Sequence, residues 1–65
     1  MNGIYVIQVA DNLFWGHGYY KNNVVDITVA KFYKSKEAAE KSKKKVNELF
    51  NLNCVVRKVK FEIYE

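Results

Sequence analysis

The sequence predicts an α+β domain: a small antiparallel sheet in β-β-β-α-β order, with one helix packed on one sheet face. Three observations carry this. The chain ahead of Ser35 falls into β-like runs separated by Asp- and Asn-rich turns. Residues 36–50 place apolar side chains at helical spacing behind an N-capping serine. The run from Cys54 to Tyr64 returns to β-branched and aromatic residues. With 65 residues the chain forms one domain. At this size a fold buries about 60% of the surface its unfolded chain exposes, which leaves little room for a deep enzyme cleft.

The first strand covers residues 3–10. Tyr5, Ile7 and Val9 lie on one face and Ile4, Val6 and Gln8 on the other; both are largely apolar, as expected of a central strand. Asp11-Asn12 is turn chemistry, because both side chains bond locally and tolerate left-handed backbone. A second strand over residues 13–20 is expected, loosened by Gly16 and Gly18, and Lys21-Asn22-Asn23 forms the next turn.

The third strand is expected over residues 24–33, with Val25, Ile27 and Val29 on its buried side and Asp26 and Thr28 opposite. The pattern changes near Ala30, where Phe32 rather than Lys31 reads as buried. A bend there, or an early end with Ala30–Tyr33 as a separate short bridge, both fit.

Ser35 caps the helix, and Glu37 and Glu40 complement the positive end of its dipole. The expected apolar line is Ala39, Ser42, Val46, Leu49 and Phe50, with Ala38 at its edge. Lys36, Glu37, Glu40, Lys41, Lys43, Lys44, Asn47 and Glu48 make the outer face, where Glu37–Lys41 and Glu40–Lys44 are favourable i,i+4 pairs. Asn51 or Asn53 supplies the left-handed stop. In the final strand, residues 54–64, Val59, Phe61 and Ile63 share a face that strict alternation extends to Arg57. A bulge at Arg57-Lys58 would instead bring in Cys54 and Val56.

The element order and the phrase Ala30-Lys31-Phe32-Tyr33-Lys34-Ser35-Lys36-Glu37-Ala38-Ala39-Glu40 resemble short uncharacterised proteins encoded by phages and prophages of low-GC Gram-positive bacteria. The resemblance implies an origin. It brings no functional residue with it.

The chemistry-bearing residues are sparse. His17 is the sole histidine, and Cys54 the sole cysteine. Metal sites and nucleophilic triads need partners at defined places, and none recurs at a recognisable spacing, so His17 reads as an ordinary loop or strand residue and Cys54 as core. No cofactor is expected, and the chain reads as non-enzymatic. A single thiol fits a reducing cytoplasm. Met1-Asn2-Gly3-Ile4-Tyr5 has no basic segment ahead of an apolar run, so no signal peptide is expected. No apolar run approaches a membrane span.

Two surfaces remain. Phe14, Trp15, His17, Tyr19 and Tyr20 form the densest aromatic stretch and are the candidate protein-contacting residues, since Trp and Tyr dominate binding hot spots. The net charge of +4 and the lysines Lys41, Lys44, Lys45, Lys58 and Lys60 form the candidate phosphate-contacting set. Half-neutralised helix lysines more often make a solvated exterior, and strand lysines guard an edge. The leading expectation is a binding module that docks on a protein partner, as a phage-type modulator or inhibitor of a host factor. Nucleic-acid binding through lysines and aromatics is the alternative, and homodimerisation through an exposed sheet edge stays open. Lysines gathered on the aromatic face would favour nucleic acid, and lysines confined to the helix exterior would favour protein.

Overall fold

A computed structural model describes residues 3–60 of the chain. The elements are β1 (Ile4–Ala10), β2 (Leu13–Trp15), β3 (Val24–Val25), a short 3-10 turn (Ile27–Val29), α1 (Lys36–Phe50) and β4 (Val55–Val59). The strands form one antiparallel sheet in the order β3-β2-β1-β4. This is the α+β architecture that the sequence predicts. β1 is the central strand, paired on both sides, which is why both of its faces are apolar.

Local chemistry sets the punctuation. Asn12, Asn22 and Asn51 all adopt positive φ, at 58°, 65° and 56°. Asn tolerates this region because its short side chain can bond locally. Ser35 caps α1 by accepting the Ala38 N–H at 3.1 Å, and Asn51 ends it in left-handed geometry. Asn47, expected on the outer face, instead ties the helix end to the last strand. Its carbonyl accepts from Leu52 N at 3.2 Å, and its side-chain Oδ1 accepts from Cys54 N at 2.8 Å.

Several expectations give way. The second strand stops at Trp15, because residues 16–23 fold into a loop around Asn23. The third strand keeps only Val24–Val25. Asp26 then caps the 3-10 turn, accepting from Thr28 N at 2.9 Å and from the Thr28 hydroxyl. That turn leaves Ile27 37% and Val29 57% exposed, so neither lines the core. The Ala30–Tyr33 bridge is present: Tyr5 and Tyr33 exchange both backbone hydrogen bonds at 2.8 Å. Tyr33 thus faces inward, and its neighbour Phe32 is turned out and exposed, reversing the expectation for Phe32.

Leu49 is also exposed, leaving Ala39 and Val46 as the fully buried helix positions. The ion pair on the helix is Glu40–Lys43 at 2.8 Å, an i,i+3 pair, and not Glu40–Lys44. No bulge interrupts β4. Its register runs evenly from Ile4↔Val59 to Gln8↔Val55, and the irregularity sits in the β1–β2 pairing between Gln8 and Ala10. The expected strand positions Phe61 and Ile63, like Tyr64, lie outside the described residues.

The core occupies the space between α1 and the sheet. Ile7, Trp15, Tyr33, Ala39, Val46 and Cys54 form it, and Tyr5, Val9, Phe50, Leu52 and Val56 pack around them. Trp15 and Phe50 meet with ring centroids 5.3 Å apart. Among the described residues, no helix is long and apolar enough to cross a membrane.

Candidate functional site

The aromatic loop divides between core and surface. Trp15 is 1% exposed, so it is not the accessible contact residue that the sequence predicts. Its indole ring fills the core, and its Nε1 donates to the Gly18 carbonyl at 3.0 Å. The physical reason is period: β2 alternates, and the residue that points toward α1 is the one able to bury the largest ring. Phe14, its neighbour, is half-buried on the opposite face.

His17, Tyr19 and Tyr20 are exposed. Tyr19 is tied to the helix: its hydroxyl lies 2.8 Å from Ser42 Oγ, and Lys45 Nζ sits 4.3 Å from its ring centroid. Tyr20, 59% exposed, is the most open aromatic of the loop. No group of three or more His, Cys, Asp or Glu able to hold a metal occurs among the described residues.

The predicted lysines do not converge. Lys41 and Lys44 line a shallow depression on the exterior of α1 with Lys36, Glu37 and Glu40, where the carboxylates offset the ammonium groups. Lys45 is engaged with Tyr19. Lys58 is the register partner of Tyr5 and so lies on the helix side of β4, and Lys60 is exposed just beyond that strand.

The sheet face away from α1 is of a different character. Side chains of directly paired residues share a face. Since Tyr5, Ile7 and Val9 pack toward α1, Ile4, Val6 and Gln8 point the other way, with their partners Val59, Arg57 and Val55. The Gln8↔Phe14 and Phe14↔Val25 pairs extend this face to β3. Val55 is 46% exposed, and Val6 is fully buried at the centre.

Arg57 and Gln8 hold each other in place there. The Arg57 Nε donates to Gln8 Oε1 at 2.7 Å, and Gln8 Nε2 in turn donates to the Ala10 carbonyl at 3.1 Å. No carboxylate pairs with the guanidinium among the described residues. In the sequence, Arg57 bears only on the register of the last strand. The available signal was that it is the lone arginine of the chain, flanked by valines at alternate positions. No protein-family model, curated protein or solved structure matches the chain.

Proposed function

We propose that this chain is a non-enzymatic docking module that binds a protein partner on the sheet face opposite α1. One observation carries the reading: Ile4, Phe14, Val25, Val55 and Val59 lie on the face that α1 does not cover, and Val55 is 46% exposed. Val55 is the exposed member of this row and the other four are half-buried, and apolar surface left open on a sheet face is a place for a partner to dock. The scatter of the lysines supports protein over nucleic acid: Lys41 and Lys44 share the helix exterior with Glu37 and Glu40, Lys45 lies over Tyr19, and Lys58 and Lys60 belong to the end of the sheet. A phage-type modulator of a host factor, acting in the cytoplasm, is the finer form of this proposal.

The test is affinity capture with wild-type protein and with Val55→Glu, followed by mass spectrometry. A partner held by the wild type and lost with Val55→Glu supports the reading. Capture that ignores Val55→Glu removes this face from consideration. A mobility shift with DNA or RNA that weakens steeply with salt would transfer the function to the lysines.

A further inference from the structure

β4 is the outer strand of the sheet, so one of its backbone edges has no neighbour among the described residues. Such an edge is a template for an added strand. On the face away from α1, β4 presents Val55, Arg57 and Val59 in succession. An extended segment paired with this edge would set its own alternate side chains beside those three.

We propose that the β4 edge binds an extended peptide segment carrying an Asp or Glu opposite Arg57, with apolar residues two positions away on either side, opposite Val55 and Val59. This rests on the docking reading above and names the partner chemistry. Gln8 occupies Nε of Arg57 at 2.7 Å, which orients the guanidinium, and no carboxylate among the described residues takes its terminal nitrogens. A planar fork so placed matches a carboxylate. Arg57 is the register partner of Val6, which is fully buried, so its aliphatic stem rises beside apolar side chains while its charged head is exposed to a partner.

Charge also argues against a second copy of this chain as the occupant. Antiparallel pairing of two β4 strands about Arg57 would place the two guanidinium groups opposite one another, and directly opposed like charges are destabilising. Nucleic acid would put phosphate near Arg57 but would leave the valines on either side unmatched.

The experiment is selection from a displayed random-peptide library against wild type, Arg57→Glu, Arg57→Lys and Val55→Glu, with the urea midpoint of each variant measured alongside. The wild type should enrich sequences with Asp or Glu between apolar residues spaced two positions away. Arg57→Glu should move the enrichment to Lys or Arg at that central position. Arg57→Lys keeps the charge without the fork, and it should weaken a selected acidic peptide about two- to fivefold, the range of an exposed ion pair. Arg57 is exposed, so these variants should keep the wild-type midpoint. If Arg57→Glu shifts the midpoint, the Arg57→Lys comparison decides.

Wild-type pools without acidic enrichment, or pools identical for wild type and Arg57→Glu, would overturn the inference. If such pools still fail against Val55→Glu, the docking face stands and only the carboxylate falls. Pools indifferent to both positions, or no selected binders at all, would remove the docking face as well.

Discussion

Gly16 and Asn23 share one small space: a Cβ on Gly16 would lie 2.7 Å from Asn23 Oδ1. Asn23 is 3% exposed and cannot swing away, because its Nδ2 donates to the His17 carbonyl at 2.7 Å and to the Gly18 carbonyl at 2.9 Å. The Gly16 N–H also donates to the Asn23 carbonyl at 3.1 Å. The loop that ends β2 is therefore organised around one buried amide.

Gly16→Ala should destabilise the fold by about 1–3 kcal/mol through this overlap. Asn23→Ala should cost about 1–2 kcal/mol by stripping the His17 carbonyl of its donor, while the Gly18 carbonyl keeps Trp15 Nε1. The two effects should be less than additive, since removing the Asn23 amide removes the obstacle to the new methyl group. Urea denaturation of the two single variants and the double variant checks this.

Trp15→Ala should cost about 3–5 kcal/mol, comparable to the whole stability of a domain this size. The variant should be largely unfolded by far-ultraviolet circular dichroism. As the sole tryptophan, Trp15 should emit at short wavelength in the native state and shift to longer wavelength on unfolding. Native emission at the solvent-exposed wavelength would contradict its placement beside Phe50.

The helix ends should respond in opposite directions. Ser35→Ala removes the acceptor for Ala38 N–H and should cost about 1 kcal/mol. Asn51→Gly relieves a left-handed residue at φ 56° and should be neutral or stabilising by about 0.5 kcal/mol. Thermal melts of the two variants should bracket the wild type.

Alkaline pH should weaken the fold. Burial pushes the Cys54 thiol above its ordinary value of 9.0, against the opposing pull of the Lys43 charge. Burial likewise raises the Tyr33 hydroxyl above 10.0, with Tyr19 adding to the rise and a hydrogen bond to Ser42 opposing it. Both groups are favoured neutral in the folded state. Their contribution is complete below the unfolded values and is lost as pH climbs through the higher folded values. Stability should therefore fall above about pH 9, and Cys54→Ala should flatten the first part of that fall. A pH series of urea midpoints for wild type and Cys54→Ala measures it.

The candidate site was only partly readable in the sequence. The aromatic run 13–20 drew attention to Phe14, Trp15, His17, Tyr19 and Tyr20, but aromatic density does not say which rings fill the core. Trp15 went inside, and Tyr19 was spent on Ser42 and Lys45. Arg57 acquired meaning only through its pairing with Val6 and its bond to Gln8, a residue far away in the chain.

What the sequence determined by itself is the set of elements whose signals are local. Ser35 opens α1 at Lys36, Asn51 or Asn53 closes it, and Asp11-Asn12 and Lys21-Asn22-Asn23 mark the turns, because capping bonds and left-handed backbone depend on a few adjacent residues; the structure places the left-handed residues at Asn12, Asn22 and Asn51. The tertiary structure decided the sides. β1 has two apolar faces, and its period alone cannot tell which one a helix will cover. Once α1 packed across β1 and β4, Ile7 and Trp15 became core, while Val55 and Arg57 were left on the other face. That choice depends on the total surface buried by residues distant in sequence, which no local pattern encodes.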